Sequence, residues 1–396
     1  MEIQQALRPQ SLADIEAQAE RVSQMMTTIR EAMLPPTAKK IAPSLSAVQL
    51  AALCGVDKSK IAYRLTRGDL PGGTITGNRR EWPMEEAQVW IREFRRTKLR
   101  KERTAGVTVT VANFKGGVAK TVTAVTLAQG LAMRGHKVLV IDLDPQGSAT
   151  TLFGLIPDTE VELEDTTMPL FRGTEDDIAY AIRKTYWPGI DLVCAAPLLF
   201  GAEFALPARQ ASDSGFEFWR VLDRGLDVAR ERYDVIVIDT PPALSYVTVN
   251  ALMAADGVLM PLPPSALDFA SSVQFWDLFS DLCNQLILRR GGTKTFEFID
   301  VLLSRVEATD AASTIVRQWI QTGYGDKVIP VEIPKTSATA TATAEFGTVY
   351  DLERGGMNRR TLARARDAYD RMCDHIELQI QAVWAKQANR MERLGA

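Results

Sequence analysis

The stretch VTVTVANFKGGVAKTVTAV, residues 107–125, decides the fold. Its first part alternates β-branched residues, the pattern of a buried strand. Lys115-Gly116-Gly117-Val118-Ala119-Lys120-Thr121 follows, and then an apolar segment with helical character. Strand, glycine-rich loop and helix in that order make a phosphate-binding loop. The glycines let the backbone curl so that several N–H groups face one point, and the helix N-terminus adds its partial positive charge there. In such a loop Lys120 reaches the β- and γ-phosphates and the Thr121 hydroxyl coordinates magnesium. Relative to GxxxxGK[ST], Phe114 and Ala119 stand where the two glycines would be.

Further apolar runs lie downstream. KVLVIDLD (137–144) ends in two carboxylates and continues as Pro145-Gln146-Gly147-Ser148. DVIVIDTPP (234–242) reads as a Walker B strand, with Asp239 placed to hold magnesium near Thr121. DLVCAA, GVLMPL and FEFIDVLLS are further β-rich runs, with helical stretches between most of them. The alternation predicts an α/β domain over 104–396, a doubly wound, mainly parallel sheet covered on both faces. Leu362, Ala365, Tyr369, Met372, Ile376, Ile380 and Val383 form the stripe of a last helix, about 358–392, that packs on this sheet.

Two segments precede that domain. Residues 1–36 contain a helix from about 11 to 33, with Leu12, Ile15, Ala19, Val22, Met26, Ile29 and Met33 as a heptad seam. Ser11 and Asp14 read as its cap, and Pro35-Pro36 as its stop. The seam predicts self-association into a homodimer. Residues 37–103 read as an all-α, winged helix-turn-helix domain with a basic linker helix. A first helix (Ser46–Leu53), a turn at Gly55 and a second helix (Asp57–Thr66) are followed by a hairpin between Gly72 and Trp82. Lys58, Ser59, Lys60, Tyr63 and Arg64 on the second helix are the predicted DNA-facing residues, with Arg79 and Arg80 on the hairpin. Residues 36–103 hold 15 Lys and Arg against 7 Asp and Glu, whereas residues 104–396 hold 28 against 37. A basic module on an acidic one points to a polyanionic partner. The basic run from Arg92 to Arg103 reads equally as a solvated helix or as phosphate contacts.

The xKGGxxKT loop, with Lys115 as its added lysine, resembles the deviant Walker A motif of the ParA/MinD family. The segment Asp142-Leu143-Asp144-Pro145-Gln146-Gly147 resembles that family's DxDPQG signature. The whole chain is similar to the large plasmid partition ATPases of ParA type, which also carry an N-terminal helix and a winged helix-turn-helix. The resemblance implies an ATPase, weak on its own, that uses ATP, ADP and Mg2+. It gives Lys115, Lys120 and Asp144 catalytic roles: Lys115 reaches the partner's nucleotide in a sandwich dimer, and Asp144 orients the attacking water. Residues 115–121 are the implied nucleotide contacts, with Thr121 and Asp239 at the metal. The resemblance also implies non-specific DNA binding by the ATP dimer, operator binding with autorepression, stimulation by a ParB-type centromere-binding protein, and a cytoplasmic, nucleoid-associated location. For the non-specific contact the candidates are Arg289, Arg290 and Lys294, or Arg359, Arg360, Arg364 and Arg366.

Other classes fit less well. A MinD-like membrane-cycling regulator needs a basic amphipathic C-terminal helix, and the tail AVWAKQANRMERLGA has no continuous apolar face. An ATP-responsive transcriptional repressor would not need Asp144. No apolar run approaches the ~20 residues of a membrane span. Cys54, Cys194, Cys283 and Cys373 are scattered without a CxxC spacing, which argues against zinc or a disulfide framework.

Overall fold

The computed structural model describes residues 9–33, 40–307, 311–352 and 359–395. Residues up to Ile41 form one compact unit and Ala42–Ala396 a second. The described part of the first unit is the helix Leu12–Met33. The Asp14 carboxylate accepts from the Ser11 amide (2.8 Å) and hydroxyl (2.6 Å), so the acidic capping box forms as read. On the seam, Leu12, Ile15, Ala19 and Val22 are exposed, while the side chains of Met26, Ile29 and Met33 lie outside the described residues.

The second unit begins with a small α/β module. Strand β1 (Leu45–Ser46) leads into the helix Ala47–Cys54, and Gly55, at φ +67, caps it and turns the chain. The helix Lys58–Arg67 follows, then β2 (Thr74–Thr76) and β3 (Arg79–Trp82), then the helix Met84–Phe94. The sheet order is β1-β3-β2, all antiparallel. Thr76 pairs with Arg79, which leaves Gly77-Asn78 as a two-residue wing turn, and Gly77 supplies the positive φ it needs. Leu50, Ile61, Trp82, Trp90 and Ile91 are fully buried beneath these elements. Both indole N–H groups, of Trp82 and Trp90, donate to the Pro71 carbonyl.

The large sheet contains β4 (Val107–Val111), β5 (Val138–Asp142), β6 (Arg183–Lys184), β7 (Ile190–Val193), β8 (Val235–Asp239), β9 (Gly257–Leu262), β10 (Phe298–Val306) and β11 (Val328–Pro334). Its order is β11-β10-β9-β4-β8-β5-β7-β6, and only β6 runs antiparallel to its neighbour. β4 lies between β8 and β9, parallel to both, so the order of strand addition reverses beside the glycine-rich loop. Strands β6 and β11 were not anticipated. β6 is only two residues long, and Pro330 interrupts β11, as an edge strand tolerates. The helix Lys120–Met133 is buried around most of its surface, between the sheet and the C-terminal helix Arg359–Gly395. All seven stripe residues of that last helix are buried.

Part of the basic run from Arg92 to Arg103 is engaged within the protein. Arg95, only 8% exposed, donates to the Arg134 carbonyl (3.1 Å) and to Glu377 (2.6 Å). Arg100 donates to the Arg230 and Glu231 carbonyls and pairs with Asp234 at 3.1 Å. Gln88 reaches the Ala132 and Pro188 carbonyls. These bonds fasten the winged module to the end of the loop helix and to the C-terminal helix. Arg96, Lys98, Lys101 and Arg103 remain exposed.

Candidate nucleotide site and DNA-facing surface

Five strand ends meet at one edge of the sheet. β4 delivers the loop 113–119, and the helix that follows starts at Lys120 with no side-chain cap. Its first N–H groups are therefore left for a ligand. Gly117 and Ala119 both adopt φ +74, which turns the backbone sharply around the loop. Ala119 pays a steric cost that glycine would avoid. Asn113 ties the loop down on both sides: its amide donates to the Pro261 carbonyl, and its oxygen accepts from the Lys115 N–H.

Lys120 is buried and folds back onto the Lys115 carbonyl at 2.9 Å. Burial lowers its pKa, and Asp239 and Asp144 work against that shift. Asp239 and Asp142 are register partners on adjacent parallel strands, both fully buried. Burial raises the pKa of each, and the Asp142 charge pushes Asp239 further. Asp142 spends its carboxylate on the Thr150 amide and hydroxyl, at 2.8 Å each, and on the Asp144 N–H. Neither Asp239 oxygen has a hydrogen-bond partner. Thr121 and Lys120 are the groups around Asp239 that favour its charged form. A buried carboxylate without a partner is costly unless a cation meets it. Asp144 is half-buried and accepts from the Gln146 N–H at 3.0 Å, near enough to Lys120 to act on its charge.

Lys115 pairs with Asp268 at 2.9 Å within its own chain. Asp268 follows β9, at the start of the helix Ala266–Leu286. No local sequence pattern gives Asp268, Asn113 or Asp142 a role. Only the sheet order brings them to Lys115 and Asp239.

A family model described as an AAA domain matches residues 106–286. The chain is 32% identical to a putative replication protein A of Rhizobium rhizogenes, over 94% of this chain and 95% of that protein. It is 31% identical to the chromosome partitioning protein ParA of Caulobacter vibrioides, over 65% of this chain and 94% of that protein. The chain belongs to the ParA-type family of partition ATPases. The fold of a solved partition protein matches with a TM-score of 0.65, at 19% identity, over 93% of this chain and 98% of that one. A cobyrinic acid a,c-diamide synthase from Mycobacterium smegmatis, solved with bound ADP and magnesium, matches with a TM-score of 0.52 at 27% identity. That match covers 68% of this chain and 94% of the synthase.

Within this ParA-type chain the DNA-facing predictions divide. Lys58, Ser59, Lys60, Tyr63 and Arg79 are exposed. Arg64 is engaged within the module: its side chain is 16% exposed, pairs with Asp69 (2.9 Å) and Glu93 (3.5 Å), and lies over the Phe94 ring. Arg80 likewise turns back, donating to the Gly72 carbonyl. Acidic and carbonyl acceptors of the same module satisfy both guanidinium groups. Among the candidates for non-specific contact, Lys294 is turned inward onto the Met253 and Ala255 carbonyls, both at 2.7 Å. Arg366 donates to the Val349 and Leu352 carbonyls. Arg289, Arg359, Arg360 and Arg364 are exposed, and the Arg290 side chain lies outside the described residues. Among the described residues no helix is long and apolar enough to cross a membrane.

Proposed function

We propose that this chain is an ATP-driven DNA partition protein in which ATP binding joins two copies and hydrolysis separates them. The observation that carries the reading is the buried, unpartnered Asp239 beside Lys120 and Thr121, at the foot of an uncapped helix. The loop N–H groups from Gly116 to Lys120 would hold the β-phosphate, and Lys120 would exchange the Lys115 carbonyl for phosphate oxygens. Thr121 and Asp239 would hold magnesium, which would supply positive charge against the phosphates. Among the described residues no group of three or more His, Cys, Asp or Glu could hold a metal by itself. The cation would therefore depend on nucleotide oxygens as well as on Asp239. The relative bound to ADP and magnesium supports that pairing of ligands.

Asp144 has the role of orienting the attacking water and drawing off its proton. Lys115 has the role of leaving Asp268 and meeting the γ-phosphate held by the second copy, so that hydrolysis depends on dimerisation. The dimer binds non-specific DNA through exposed arginines. A ParB-type protein stimulates turnover, and the winged module binds an operator through Lys58, Lys60 and Arg79. The exposed seam residues Leu12, Ile15, Ala19 and Val22 support a second, nucleotide-independent contact between copies.

The test is steady-state hydrolysis measured alone, with random DNA, and with random DNA plus a ParB-type centromere-binding protein. Slow basal turnover that rises on both additions is expected. Asp144→Ala should bind ATP with unchanged affinity and lose turnover by roughly 10²–10⁴-fold. Hydrolysis indifferent to DNA and partner would overturn the partition reading.

A further inference from the structure

A phosphate-binding loop works by turning its N–H groups inward, and that requires its carbonyls to face outward and find partners elsewhere. Here two consecutive outward carbonyls meet two consecutive side chains. The Ser304 hydroxyl, fully buried, donates to the Val118 carbonyl at 3.0 Å. The Arg305 guanidinium donates to the Gly117 carbonyl. Both residues stand at the carboxyl end of β10, which is separated from β4 by β9.

Neighbouring side chains on an extended strand point to opposite faces, so Ser304 and Arg305 could not both reach the loop from regular β10. The backbone removes that obstacle at Arg305. Its φ is +52, a left-handed conformation that arginine rarely adopts, and the β10–β11 register shifts between Leu303 and Val306. Irregularities of this kind re-aim one side chain. The strain has no other evident use: the Arg305 side chain is exposed and fills no core position. Strained backbone gathers at sites where geometry serves function, and the second strained non-glycine residue at this edge, Ala119, lies in the loop itself.

We infer that Ser304 and Arg305 are positioning residues that hold the Gly117 and Val118 peptides with their carbonyls out, so that the loop N–H groups are set for phosphate before the nucleotide arrives. This rests on the reading that residues 115–121 cradle the phosphates. Removing the clamp leaves the fold in place and makes the loop pay its ordering cost on binding.

The test uses the full chain with Arg305→Gly, Arg305→Lys, Ser304→Ala and Lys120→Ala. ADP and ATP affinities are measured by calorimetry, the melting temperature without nucleotide, and amide hydrogen exchange across residues 116–120. Arg305→Gly relieves the left-handed backbone, so its melting temperature should not fall. Its nucleotide affinity should drop about tenfold, the size of one lost charge-assisted hydrogen bond. Its loop amides should exchange faster in the nucleotide-free protein. Arg305→Lys keeps a donor and should recover part of the affinity, and Ser304→Ala should weaken binding in the same direction. Wild-type affinity and exchange in Arg305→Gly would overturn the inference. So would a loss of affinity that merely follows a lowered melting temperature in every variant. If Lys120→Ala retains nucleotide affinity, the phosphate reading itself fails, and that outcome is distinct from a failed clamp.

Discussion

The winged module and the glycine-rich edge of the sheet treat their charges in opposite ways. Part of the module's positive charge is spent inside the protein: Arg64 on Asp69 and Glu93 and Arg80 on a carbonyl of the module, Arg95 on Glu377 and Arg100 on Asp234 of the large-sheet domain. At the sheet edge neither oxygen of the buried Asp239 has a hydrogen-bond partner, and Ala119 and Arg305 hold backbone conformations that cost energy. A count of charges in the sequence marks the first region as the active one. The structure shows that unmet valence and strain mark the second. Formal charge tells of a polyanion site only after internal pairs are subtracted.

The largest effect expected from this contrast is at Lys120. Lys120→Ala removes an ammonium buried beside Asp239, and calorimetry should detect no ATP binding at concentrations that saturate the parent protein. Retained binding would mean that the unmet valence at this edge serves something other than a phosphate.

The next effect tests whether the module's arginines fasten domains. Arg95→Ala leaves Glu377 buried with less compensation, and urea unfolding should show a loss of about 3 kcal/mol. The winged module should also become more susceptible to proteolysis near residues 96–103. A loss under about 1 kcal/mol would place this pair with ordinary surface ion pairs.

A smaller difference separates spent from free cations. Lys60→Ala and Arg79→Ala should each reduce the slope of log affinity against log salt for operator DNA by about 1. Arg64→Ala should leave that slope nearly unchanged and lower the melting temperature slightly. An equal change in slope for Arg64 would show that it leaves Asp69 when DNA binds.

The smallest effect concerns strain in the loop. Ala119→Gly removes a left-handed alanine, and thermal unfolding should report a gain of roughly 0.5–1 kcal/mol, with ATP affinity unchanged or slightly higher. A destabilised variant would show that the Ala119 methyl packs usefully enough to outweigh its backbone.

The sequence by itself determined the strand-loop-helix around Lys115–Thr121, the carboxylates at the ends of β5 and β8, the hairpin between Gly72 and Trp82 and the buried stripe of the last helix. Each is a local pattern: glycine where φ must be positive, β-branched alternation in a strand, apolar residues every three or four positions in a helix. Tertiary structure alone decided the rest. Asp239 becomes an unpartnered carboxylate only because β5 and β8 are neighbours and Asp142 sits in register beside it. Lys115 meets Asp268, and Gly117 and Val118 meet Arg305 and Ser304, because β9 and β10 lie on the far side of β4 from β8. Arg64 and Arg95 are paired because helix packing brings their acceptors, Glu93 and Glu377, close. Local propensity is written in residues a few positions apart. Charge compensation depends on which distant residues the sheet order makes adjacent, and no spacing in the chain encodes that distance.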